Sequence, residues 1–323
     1  MTRPHISTSN IHLKWSRNLP PAVTVRSGDQ VTFDLHDGLN NQITPSTTAA
    51  DLAGLDSTQA DPAFGPVFVE GAEPGDVLRV DILELTPAGY GWTAILPGFG
   101  LLCDEFPTPQ LKLWDLSGPA ISRGSTEFKP GIFVPIRPFL GVMGLAPAVD
   151  GELDTIPPYD WGGNLDCKHV TEGASLRLPV QVAGALFSCG DGHAAQGDGE
   201  VCGTAIETPM RARLRLTVEK DKPWIRSPHY MTAPKPEPTR GCEYAVVGID
   251  ADLREAARKA LRGAIDWLAA ERALSRAEAY MLCSVVADLK IVEAVDMPHY
   301  AVACAVPLAI FSSPSGAVAV QGE

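Results

Sequence analysis

"VFVEGAEPGDVLRVDILEL", residues 67–85, alternates apolar with charged or polar residues on either side of a Gly75-Asp76 pair. Alternation with period two turns one face of a strand toward a core and the other toward water, and a glycine beside an aspartate marks a sharp reversal between strands. The stretch predicts a hairpin, and "AVTVRSGDQVTFDL" (22–35) predicts another in the same style. "KHVTEGASLRLPVQVAGALFSCGDG" (168–192) repeats the pattern, while "ETPMRARLRLTVEK" (207–220) alternates arginine with apolar residues as a half-buried strand does. Up to about residue 220 the chain reads as β. The shared Gly-Asp echo admits an internal repeat, and turn chemistry alone also produces such echoes.

Residues 86–160 show few periodic runs and many prolines, which lack a ladder donor. They predict long ordered loops that roof a site, with Trp92, Phe99, Tyr159 and Trp161 either in that roof or packed as a satellite core. The period then changes. "DADLREAARKALRGAIDWLAAERA" (250–273) places Leu253, Ala257, Leu261, Ile265 and Leu268 on one helical stripe. "SRAEAYMLCSVVADLKIVEAV" (275–295) opens with the capping pair Ser275 and Glu278, predicting a second helix that runs into a closing strand. The expected fold is mainly β, sandwich- or barrel-like, with long Pro/Gly-rich loops and a C-terminal helical hairpin. Residues 1–220 would form the β-rich region carrying the site, and 221–323 the hairpin plus closing strand, packed into the same domain.

The composition bounds what such a fold does. At 323 residues and 45% hydrophobic, the chain can bury a substantial core. No apolar run approaches a membrane span and the start lacks an apolar leader core, so a cytoplasmic protein is expected. Seven scattered cysteines without a C-x-x-C pair argue against disulfides and a thiolate metal knuckle. A net charge of −13 without a basic cluster excludes nucleic acid as a partner. The field suits a small neutral or cationic ligand.

One short stretch concentrates charge. "GDGHAAQGDGE" (190–200) follows an apolar run, and its glycines permit positive φ, which lets Asp191 and His193 point at one centre. Carboxylate oxygens with an imidazole suit a divalent ion; a solvated turn explains the same residues equally well. "DWGGNLDCKHV" (160–170) sets Asp166 behind glycines, as a ligand or as the cap of an Asx turn, and "DLHDGLNNQIT" (34–44) carries Asp37 beside His36. His36 reads as a packed histidine. If the strand ends converge, Asp37, Asp166, Asp191 and His193 form a divalent site, leaving Glu200 as proton carrier. A rival arrangement uses Cys189 or Cys202 as nucleophile with Lys168 nearby; a buried cysteine at a strand end is more often inert.

"GPVFVEGAEPGDVLRVDI" (65–82), "GFGLLCDEF" (98–106), "GVMGLAPA" (141–148), "GGNLD" (162–166), "LPVQVAGALFSCGDGHAAQGDGEVCGTAIE" (178–207) and the early "HLKWSRNLPPAVTVRSGDQVTFDLHDGLNNQI" (12–43) together resemble the acetamidase/formamidase family of amide hydrolases. The resemblance spans about residues 12–310. It implies a β-rich homo-oligomer without nucleotide cofactor that cleaves formamide, acetamide or another small aliphatic amide to ammonia and the acid; members also open lactams. A divalent metal is implied, zinc before calcium. Carried over by position, the resemblance puts Asp37, Asp166, Asp191, His193 and Glu200 in one site; the reading adopted gives Asp37, Asp166, Asp191 and His193 to the metal and Glu200, with Asp191 and His193, to catalysis. A non-catalytic protein binding a small amide or a metal remains the alternative on the same scaffold.

Overall fold

The computed structural model describes residues 3–233, 242–276, 279, 283 and 287–311. Two sheets face each other across the main core. A nine-stranded sheet runs in the order His5–Ile6, Gln30–Leu35, Met210–Glu219, Val77–Pro87, Ser175–Pro179, His229–Met231, Glu243–Asp250, Tyr300–Pro307 and Asp288–Glu293. A seven-stranded sheet centres on Phe139–Gly144, Phe187–His193 and Ala63–Glu70, with Val23–Arg26 pairing in parallel along the last. Inner-face residues of both, among them Phe33, Val80 and Leu214 from one and Phe64, Val67 and Phe187 from the other, share a single buried cluster. The fold is mainly β, as the alternation predicts.

The expected hairpins are corners. Val23–Arg26 lies in the seven-stranded sheet, while Gln30–Leu35 pairs with Met210–Glu219 in the other. Ala63–Glu70 and Val77–Pro87 divide in the same way, as do Ser175–Pro179 and Phe187–His193. The two turns are near copies. Gly28 and Gly75 take φ of 94° and 95°, and each following aspartate accepts the amide three residues back, Arg26 to Asp29 at 2.9 Å and Glu73 to Asp76 at 2.8 Å. The reversal is therefore local chemistry, but which sheet receives each arm is a packing outcome. Facing the apolar sides across a sandwich buries both, whereas a flat hairpin would leave one side of each arm uncovered.

Two further expectations change. The segment 86–160 carries strands, including the antiparallel pair Tyr90–Ile95 with Gln110–Asp115 and the hairpin of Ser125–Lys129 with Ile132–Pro135. The described residues show one long helix, Leu253–Arg272, and of the expected second helix only Arg276, Ala279 and Cys283, all helical, so no helical hairpin is shown. Most of residues 275–286, where the second helix was expected, lies outside the described residues. The long helix is capped by Asp252, which accepts from the Glu255 amide at 2.9 Å. Its buried stripe runs through Ala256, Ala260 and Ala264 to Ile265 and Leu268, and Leu253 is 39% exposed. Small residues win that face because the helix sits close on the sheet: a Cβ on Gly263 would meet Val246 Cγ1 at 2.6 Å. The region after residue 220 also supplies four strands, so the nine-stranded sheet continues across that boundary.

Candidate active site

The site lies where strands of the seven-stranded sheet end. Phe139–Gly144 pairs with Phe187–His193 through Leu140 with Gly192 and Val142 with Gly190, which sets Gly141 opposite Asp191. On its other side, Val142 pairs with Asn164, and the Leu165 amide donates to the Gly141 carbonyl at 2.9 Å, bringing Asp166 over the same glycine. A side chain at position 141 would collide with the carboxylates of both Asp166 and Asp191. Glycine is required there because the carboxylates occupy its side-chain space. Asp61, Asp166, Asp191 and Glu200 all adopt left-handed φ, between 42° and 55°. Non-glycine residues hold that region only where surrounding structure compels it, and such strain concentrates at functional sites.

His193 is the centre of the cluster. Its Nε2 lies 3.0 Å from Asp191 Oδ2, 3.0 Å from Glu207 Oε2 and 3.9 Å from Glu200 Oε1, while Nδ1 lies 3.6 Å from Asp166 Oδ1. Phe139 packs edge-on against the ring, centroids 4.9 Å apart. Three groups of ligand atoms, each within 4.8 Å of one another, chain together: Asp166, Asp191 and His193; His193, Glu200 and Glu207; Asp166, Glu200 and Asp296. Behind Asp296, Glu293 accepts the backbone amides of Val295 and Asp296, and Asn164 donates to Asp296 at 2.9 Å.

This much buried acid cannot ionise unaided. Burial, then the neighbouring charge of Asp166, holds Glu200 well above the usual carboxylate range; burial, then Asp191, does the same for Asp61. Burial pushes Asp166 up to about 6 and Glu207 up to about 8. At His193 burial opposes the charged ring most strongly, but Asp191 and Glu207 overcome it and raise the imidazole well above its ordinary value. Both oxygens of Asp166, Asp191 Oδ1 and His193 Nδ1 are buried without a hydrogen-bond partner. Buried polar atoms are normally paired, and converging unpaired oxygens around an imidazole have the donor chemistry of a divalent-cation site.

Of the residues singled out in the sequence, Asp166, Asp191, His193 and Glu200 come together, and Asp37 stands outside the groups. Its Oδ1 accepts from the amides of Leu39 and Asn41, and its Oδ2 from Trp92 Nε1 at 3.0 Å, so three donors already address its two oxygens. His36 bonds Asn40 and packs edge-on to Phe64. Lys168 pairs with Asp198 at 3.0 Å rather than with a cysteine, and burial drives the Cys189 thiol well up, which leaves it inert. Sequence reading missed Asp61, Glu207, Glu293 and Asp296. Glu207 closes the motif quoted at 178–207, so it was within sight; nothing in "ADPAFG" (60–65) or "EAVDMPH" (293–299) marks the others.

The cluster floors a chamber of about 290 Å³. Trp92 and Phe99 line it, whereas Tyr159 and Trp161 stack on each other at 4.6 Å outside it. Glu200 also borders a wider cavity of about 1070 Å³.

A β-sandwich with an imidazole among buried carboxylates at its strand ends suits metal-assisted hydrolysis. The Acetamidase/Formamidase family profile matches residues 1–151 and 149–313, and the chain belongs to that family. It is 31% identical over 255 residues to an acetamidase of Mycolicibacterium smegmatis, covering 61% of this chain and 63% of that one. It is 30% identical over 288 residues to a formamidase of Methylophilus methylotrophus, covering 72% and 70%. The chain thus spans less than two thirds of the Mycolicibacterium protein. Its fold superposes on the crystal structure of an acetamidase from Bacillus halodurans with a TM-score of 0.86 at 30% identity, over 95% of this chain and 98% of that one.

Proposed function

We propose that the protein hydrolyses small aliphatic amides such as formamide and acetamide to ammonia and the carboxylic acid, using a divalent metal. The observation that carries this reading is the convergence of unpaired buried oxygens on His193. Asp166, Asp191 and His193 would hold the ion, with Glu207 Oε2 3.0 Å from His193 Nε2 beside it. A mixed oxygen and nitrogen donor set favours zinc over calcium, which prefers oxygen alone. When bound, such an ion polarises a carbonyl and lowers the pKa of water toward about 7.

The chain's own residues supply the rest. Amide nitrogen leaves poorly unless protonated, so a group must collect the proton of the attacking water and return it to nitrogen. Glu200 borders the chamber at 3.9 Å from His193, and its burial keeps it able to hold that proton near neutral pH. Gly38 and Gly141 keep the space around the carboxylates clear. Family membership and the resemblance to an acetamidase and a formamidase support the substrate class.

The test is elemental analysis of protein purified without chelator, paired with ammonia release from formamide and acetamide. Stoichiometric metal and chelator-sensitive ammonia release are expected. Bound metal with no ammonia from any amide would make this a binding protein.

A further inference from the structure

The chamber is larger than the smallest amides need. Formamide and one water fill on the order of 90 Å³, taking about 30 Å³ as a water's share of the liquid, against the cavity of about 290 Å³. The surplus is apolar. Besides the carboxylates, Leu39, Trp92, Leu96, Phe99 and Ile156 line the chamber, and among the described residues no lysine or arginine lines it to receive an anionic tail.

These walls are held in place. Asp37 fixes Leu39 through its amide and Trp92 through its indole nitrogen. Leu39, Trp92 and Leu96 belong to one apolar cluster with Ile43 and Leu52 behind them. The Phe99 ring lies against Gly203, where a Cβ would stand 2.5 Å from Cδ1, so the glycine makes room for the ring. An ordered apolar wall facing a polar reaction centre is the usual construction of a pocket that recognises a hydrocarbon group.

We infer that this wall makes the protein selective for neutral primary amides whose acyl chain is apolar and longer than acetyl. The inference rests on the amide hydrolysis proposed above. Each methylene laid against the wall leaves water for an apolar surface. Such a transfer multiplies kcat/KM about fourfold per methylene until the chamber is full.

The experiment measures kcat/KM of the metal-loaded wild type on formamide, acetamide, butyramide and hexanamide. Alongside it, calorimetry follows binding of the same amides to the Glu200→Gln protein. Both series should tighten with chain length, kcat/KM rising at least tenfold from acetamide to butyramide. Ile156→Trp, which fills the chamber, should lower the hexanamide-to-acetamide ratio at least tenfold. A flat or falling kcat/KM beyond acetamide overturns the selectivity and leaves hydrolysis standing. Binding that tightens with chain length without any turnover by the wild type overturns hydrolysis and upholds the apolar pocket. Neither turnover nor chain-length-dependent binding overturns both.

Discussion

Met210–Glu219 in the nine-stranded sheet buries Met210, Ala212, Leu214 and Leu216 and turns the arginines between them outward, whereas Phe187–His193 in the seven-stranded sheet buries all of its seven residues. The first strand has a wet face, on which Arg213 pairs with Glu84 at 2.9 Å and the neighbouring Arg177 with Glu219 at 3.0 Å. The second has apolar core on one side and carboxylates on the other. Water on one face produces the alternation by which a strand is recognised in sequence. Where both faces are covered the alternation disappears, and glycines appear wherever a neighbour needs the room: a Cβ on Gly192 would stand 2.6 Å from both Met210 Cβ and the Thr208 carbonyl.

If the two sheets divide labour in this way, substitutions on the seven-stranded side should cost function and those on the wet face of the other almost nothing. The largest effect is expected for Glu200→Gln, which should lower kcat on acetamide by roughly 10²–10⁴-fold, the usual worth of a positioned proton carrier. Its metal content by elemental analysis should stay unchanged; turnover within a few-fold of wild type removes Glu200 from the mechanism. Gly141→Ala comes next. Its methyl group enters the space of Asp166 and Asp191. Metal affinity should fall about 10–100-fold, as for other changes that reorient ligands, and stability by about 1–3 kcal/mol, as for overpacking. Metal titration and denaturant unfolding read the two separately.

The dependence on pH sharpens the contrast further. In metal-free protein, burial raises Glu207 and Glu293 to about 8 and Asp166 to about 6. A carboxyl whose folded pKa is raised contributes its protonated stability fully below the unfolded value of about 4 and loses it as pH climbs through the folded pKa. Chelated protein should therefore lose stability between about pH 4.5 and 8, at up to about 1.4 kcal/mol per pH unit for each proton still held. Metal-loaded protein, its carboxylates already ionised against the cation, should lose less. Melting temperatures at pH 5 and pH 8 with and without chelator check this, and a gap that fails to widen at pH 8 contradicts it. The smallest effect is expected on the wet face. Arg213→Ala breaks an ion pair whose partner Glu84 is 54% exposed, and it should shift stability by less than about 1 kcal/mol and leave kcat/KM alone.

The Gly-Asp turns at residues 28–29 and 75–76, the outward arginines of Met210–Glu219 and the helix Leu253–Arg272 were all legible in the sequence. Each depends on neighbours a few residues away or on one face meeting water. The cluster of Asp166, Asp191, His193 and Glu200 was legible for a related reason, because glycines beside acids betray backbone bent into left-handed φ. The destination of each arm leaving a turn was not, since the same reversal serves a hairpin or a corner and the choice belongs to the apolar faces that meet across the sandwich. Nor were the bonds of Asp37 to Trp92 and to its own turn, or the arrival of Asp61, Glu207 and Asp296 in the carboxylate cluster. Those carboxylates come from separate parts of the chain, and Asp61 and Asp296 carry no local mark. A short window of sequence records what a residue does to its own backbone; which charges share a buried space is decided only when distant strands pack, because desolvation and Coulomb repulsion act through distance in space.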